Sequence, residues 1–79
     1  MLILHTEFAS HNRGYSVTLE RDLFDAYVLY RRWYGLFTRK RGQKIQYFLK
    51  EEDALAEVSM IGKRRARNGY AQRDSHHYL

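Results

Sequence analysis

The apolar residues of this chain follow one spacing up to about residue 50 and another after it, and that change constrains the fold more than any other feature. In the first part they alternate with polar residues at the period of two that puts successive side chains on opposite faces of a strand. Leu2, Leu4, Thr6 and Phe8 alternate with Ile3, His5 and Glu7 and predict a first strand. A polar break, Ser10-His11-Asn12-Arg13-Gly14, separates it from Tyr15, Val17 and Leu19, which alternate with Ser16, Thr18 and Glu20 in a half-buried second strand ending near Arg21-Asp22. A third strand is expected over Ala26 to Trp33, with Tyr27, Leu29, Arg31 and Trp33 on one face and Val28, Tyr30 and Arg32 on the other. Both faces are partly apolar, which puts this strand inside the sheet. Tyr34-Gly35-Leu36-Phe37 extends or bends it. Thr38-Arg39-Lys40-Arg41-Gly42-Gln43 reads as a hairpin loop with Gly42 free to take a positive φ, and Lys44 to Leu49 as a fourth strand.

From about Glu51 the spacing becomes three and four, so that Ala54, Leu55, Val58, Ile61 and Gly62 form one apolar stripe of a helix lying on the sheet. Glu51, Glu52 and Asp53 in its first turn and Lys63, Arg64, Arg65 and Arg67 in its last complement the helix dipole. Asn68-Gly69 supplies a left-handed stop. The expected fold is α+β: one domain, a mainly antiparallel twisted sheet of about four to five strands with one C-terminal helix packed on one face. The domain is expected over residues 1–71, with the polar residues 72–79 as a flexible C-terminal tail.

At 79 residues only one domain is possible, and a chain this short buries roughly 60–65% of the surface its unfolded form exposes. Nearly every apolar residue is then needed for stability, and a large enclosed active site is not expected. With no cysteine there is no disulfide framework and no thiolate metal site, which suits a reducing cytoplasm. Met1-Leu2-Ile3-Leu4 is far shorter than a signal-peptide core, and no window approaches the roughly 20 apolar residues that cross a bilayer. A cytoplasmic protein without membrane contact is expected. His76-His77 lacks further ligands at metal-binding spacing, and there is no nucleophile elbow, P-loop or pair of carboxylates set across a predictable cleft. The expectation is therefore a non-enzymatic protein with no cofactor and no metal.

The charge points to a partner. The formal net charge is +5, from 14 Lys+Arg against 9 Asp+Glu. Residues 26–49 contain no acid and carry Arg31, Arg32, Arg39, Lys40, Arg41 and Lys44; residues 58–73 again lack acids and carry Lys63, Arg64, Arg65, Arg67 and Arg73. The second run is partly explained by the helix C-terminus. The first has no such explanation, and mutually repelling cations over a strand, a loop and the next strand suit contact with a polyanion. A solvated basic face is the alternative.

The order of elements and certain residues resemble the WGR domain, a small sheet-and-helix module of poly(ADP-ribose) polymerases and of short bacterial proteins. The resemblance runs from about His11 to Tyr70. Its carriers are Asn12 before the aromatic strand at Tyr15, Asp22-Leu23-Phe24 leading into Tyr27-Val28-Leu29, Trp33 with a basic residue two before it, and Gly42-Gln43. An aromatic strand ending at Phe48, Glu51-Glu52-Asp53-Ala54 and Gly69-Tyr70 complete it. The Asp22-Leu23-Phe24 turn is similar to that of the small bacterial branch. At the signature itself the family reads Trp-Gly-Arg, then an aliphatic residue and a glycine, whereas this chain reads Trp33-Tyr34-Gly35-Leu36-Phe37.

The family implies DNA binding, with the tryptophan against sugar at a strand end and the arginine on phosphate. Trp33 inherits its role by position, and Gly35 has no side chain to offer. Either the charge has moved to Arg31, Arg39, Lys40 or Arg41, or the DNA-end function is lost. The candidate nucleic-acid contacts are Arg31, Arg39, Lys40, Arg41, Lys44 and Arg64 on phosphate, with Trp33 and Tyr34 stacking on sugar or base. As core or sheet-surface aromatics, Trp33 and Tyr34 would have no such role. A second expectation is a protein-interaction module for an acidic partner, using Tyr34, Leu36 and Phe37 rimmed by arginines.

Overall fold

The change of period becomes a change of layer. The computed structural model describes residues 1–77, with strands β1 (Leu2–Ala9), β2 (Arg13–Arg21), β3 (Tyr27–Gly35) and β4 (Arg41–Phe48), helix α1 (Glu51–Arg67) and strand β5 (Ala71–His77). The five strands form one antiparallel sheet in the order β4-β3-β2-β1-β5. Directly opposed residues of an antiparallel ladder share a face. Phe8, Tyr15, Val17, Leu19 and Leu29 therefore point the same way and meet Ala54 and Ile61 of α1 in the core. Leu55, Val58, Tyr27 and Phe48 pack around them. A bulge between Leu2 and Leu4 lets the adjacent Ile3 and Leu4 both be buried. No helix among the described residues is long and apolar enough to cross a membrane.

The edges of the sheet correct two expectations. Residues 72–79 were expected as a tail, but α1 starts beside one edge strand and carries the chain across the sheet to the other, where Ala71–His77 pairs with β1. The strand is held by its backbone ladder and by polar contacts such as Thr6 Oγ1 to Ser75 Oγ at 3.0 Å. An edge strand exposed on both faces needs no apolar alternation, so its sequence gave no period to read. Tyr78 and Leu79, the end of the expected tail, lie outside the described residues.

The hairpin loop expected over residues 38–43 lies instead between Gly35 and Arg41 and is closed by the Gly35 amide donating to the Lys40 carbonyl at 2.9 Å. Gly42 lies within β4 and not at a positive φ. It is small for a different reason: the indole of Trp33 lies against it, and a side chain there would overlap the ring.

The stop of α1 forms as the Asn-Gly pair predicts. Gly69 has φ 85°, the Tyr70 amide donates to the Arg65 carbonyl at 2.9 Å, and the Gly69 amide donates to the Ala66 carbonyl at 3.2 Å. These two bonds make a Schellman motif, which turns the chain back and sets Tyr70 beside Arg65. A Cβ at Gly69 would meet nothing within 4 Å, so only the backbone conformation resists substitution. Gly69→Ala is expected to destabilise the domain by about 1–2 kcal/mol in urea unfolding. A loss much larger than that would mean that the motif carries more than its local strain.

Candidate nucleic-acid interface

At the end of the sheet where β2 begins, β3 ends and β4 begins, the register sets two rows of residues side by side. Tyr15 opposes Trp33 and Trp33 opposes Gly42 on the helix side; Gly14 opposes Tyr34 and Tyr34 opposes Arg41 on the other. Each row contains one glycine, and in each an aromatic ring lies over it: Trp33 over Gly42, Tyr34 over Gly14. On the helix side Trp33 also stacks on Tyr15, with centroids 6.1 Å apart and planes 19° from parallel. Tyr70 meets the Tyr15 ring edge-on at 6.3 Å. Trp33 is thus packed on neighbours and still 41% exposed, so it is neither a core residue nor a loose surface one.

Arg65 reaches this row from the end of α1. It continues the apolar stripe, four residues after Ile61, so the helix aims it at the sheet. Its guanidinium carbon lies 4.6 Å from the Tyr15 centroid and 5.2 Å from that of Tyr70. Its Nε is buried without a hydrogen-bond partner among the described residues.

These groups line a cleft of about 450 Å³ with Asn12, Arg13, Gly35, Thr38, Lys40 and Arg41. Two hollows adjoin it, one reaching Arg32 and Gln43, the other His11 and Asn68. No Asp or Glu lines any of the three, while Arg13, Arg32, Lys40, Arg41 and Arg65 do. Four aromatic rings interleave with these cations, the arrangement suited to a phosphate backbone with its sugars or bases against flat apolar surface. Among the described residues no group of three or more His, Cys, Asp and Glu is placed to hold a metal ion.

A family model described as the WGR domain matches residues 2–77. The chain belongs to the WGR family. Comparison with curated proteins and with solved structures gave no significant match. WGR domains are known in nucleic-acid-related proteins, and the match takes in β1 and β5 as well as the span from His11 to Tyr70.

In this WGR domain the structure sorts the expected contacts. Trp33, Tyr34, Lys40 and Arg41 line the cleft. Arg31 does not. It is buried, its Nε donates to the Tyr15 hydroxyl at 2.8 Å and its Nη1 to Gln46 Oε1 at 3.3 Å, and Glu57 Oε1 is 3.8 Å away. Lys44, opposite Arg31 on β4, and Arg39, in the β3–β4 loop, are exposed outside the cleft. Arg64 is half-buried on α1 and also outside it, while its neighbour Arg65 lies inside. Sequence reasoning missed Arg13, Arg32, Arg65, Tyr15 and Tyr70. Extending the helix stripe by one more step of four would have found Arg65; Arg13 and Tyr70 become neighbours only when β1, β2 and β5 pair.

The altered signature has a structural counterpart. Gly35 ends β3 against Thr38, where a side chain would overlap the threonine hydroxyl, and cations come to the cleft from Arg65, Arg13, Lys40 and Arg41. Arg31→Ala leaves the buried Tyr15 hydroxyl without its donor and is expected to cost about 1–3 kcal/mol in urea unfolding. Arg39→Ala is expected to stay within about 0.5 kcal/mol of the parent. Equal effects would contradict this division between fold and surface. Gly42→Ala is expected to push the indole off β4 and to move the emission of the single tryptophan to longer wavelength, with a loss of about 1–3 kcal/mol; unchanged emission would mean that the ring does not rest there.

Proposed function

We propose that this WGR domain is a non-enzymatic nucleic-acid-binding module, with DNA as its ligand, that grips backbone phosphate in the cleft and lays sugar or base against Trp33 and Tyr34. The observation that carries the reading is the cleft itself: cations from β2, the β3–β4 loop, β4 and α1 converge beside an exposed indole with no carboxylate among them. Each of these cations is held near others of like sign, a cost that a bound polyanion would offset. Phosphate contacts fix position without reading bases, so low sequence specificity follows. The exposure of Leu36 and Phe37 beside the cleft supports a second reading, in which an acidic protein surface occupies it.

Fluorescence anisotropy with single-stranded, blunt, nicked and 5′-phosphorylated DNA and with RNA, at two salt concentrations, separates the possibilities. If about four to five phosphates are neutralised, log K against log[salt] on duplex DNA should slope near −4. Arg41→Ala and Arg65→Ala should each reduce that slope by about one, with the loss shared across sequences. Trp33→Ala should weaken binding with the fold intact. Absence of binding at low salt, or a slope near zero, would exclude the proposal.

A further inference from the structure

The β2–β3 hairpin separates two ends of opposite charge. Arg13, Lys40, Arg41 and Arg65 stand at the cleft end. At the other end Glu20 near the end of β2, Asp22 and Asp25 in the β2–β3 turn, and Glu51, Glu52 and Asp53 in the first turn of α1 outnumber the cations there, Arg21, Lys50 and the Met1 ammonium. With nine residues in each strand the ends are about 30 Å apart, several times the Debye length of about 8 Å at physiological salt, so each presents its own field.

The acidic end also displays apolar side chains on a fixed support. Asp22 Oδ1 accepts the amides of Phe24 at 2.8 Å and Ala26 at 3.0 Å. Asp25 takes the left-handed φ of 63°, and its Oδ1 is 2.8 Å from Arg21 Nη2. This small network holds the turn and leaves Leu23 97% and Phe24 89% exposed. Leu49, just past β4 at the same end, is exposed as well. Two adjacent large apolar residues held out on a braced turn contribute nothing to the core and keep a hydration cost that burial elsewhere would remove.

We propose that this turn docks into the cleft of a second copy of the chain, seating Leu23 and Phe24 against Trp33 and Tyr34 with the surrounding carboxylates facing Arg13, Lys40 and Arg41. The occupant is argued from complementarity: one end of the chain is acidic and apolar, the other basic and aromatic, and both belong to every copy. A turn about 30 Å from its own cleft along a paired hairpin cannot fold back into it, so the contact is between molecules. The two surfaces differ, so the interface is heterologous, and copies add in a row with one cleft and one turn left free. The inference uses the cleft assigned above to nucleic acid but not that ligand, and it makes a second copy and nucleic acid competitors for one surface.

Sedimentation velocity from about 5 to 200 µM, at about 50 and 500 mM salt, tests it with two exposed-site variants, Phe24→Ser and Arg41→Glu. The parent should associate progressively with concentration at low salt and fall back to monomer at high salt. Each variant alone should associate at least tenfold more weakly, and the two mixed should form a one-to-one dimer that grows no further, because one retains a cleft and the other a turn. Parent-like thermal melts show that both are folded, and Lys40→Glu replaces Arg41→Glu should that variant melt early. Excess oligonucleotide should dissolve the parent assemblies. Phe24→Ser should keep the parent's DNA affinity while Arg41→Glu loses it, which distinguishes failure here from failure of the nucleic-acid reading. A parent that is monomeric throughout, a Phe24→Ser protein that associates like the parent, or variants that do not pair would each overturn the proposal.

Discussion

The ring of Tyr15 is buried between Trp33 of the neighbouring strand and the Arg65 guanidinium from the end of α1, and its hydroxyl accepts the Nε–H of Arg31. Through these contacts one β2 residue ties β3, the helix C-terminus and, by way of Tyr70, the start of β5 to the same point. The hydroxyl gives the buried Arg31 a partner, so that a cation inside the domain costs less than an unpaired one would. The ring faces give Arg65 a place to rest without a carboxylate. A fold with so little apolar volume joins this end of its sheet to its helix through aromatic and guanidinium contacts as much as through aliphatic packing, and the cleft is built from the same groups.

Charge separation follows from the topology. The acids at the start of α1 and the bases at its end suit the helix dipole, and α1 runs beside strands whose own turns carry the matching sign at each end. The β2–β3 turn is acidic and the β3–β4 loop basic. The molecule therefore has a positive end with exposed aromatics and a negative end with exposed aliphatic and aromatic side chains. The cations at the cleft end would attract a polyanion and the excess of carboxylates at the other would repel it, which would orient its approach.

Most of the fold was legible because it rests on periodicity. The alternation in β2 and β3, the three-four stripe of α1 and the Asn68-Gly69 stop are local patterns, and each formed where the residues indicated. Two features were not legible. β5 is an edge strand, stabilised by backbone pairing with β1, so its polar sequence looked like a tail. Gly42 looked like a turn glycine because turns and close ring-to-backbone packing both call for the smallest residue, and only the position of Trp33 separates the two.

The candidate site divides along the same line. Sequence alone determined that a basic, acid-free span surrounds the one tryptophan and that the chain has the marks of the WGR family, because composition and order along the chain carry that information. Only the tertiary structure decided which cations face the cleft. Arg31 and Arg65 stand in similar basic runs, yet the pleat of β3 turns one under the helix beside Tyr15 and the pitch of α1 carries the other over the same ring into the cleft. Charge is a property of the residue, but its exposure depends on which strands and helices pair around it.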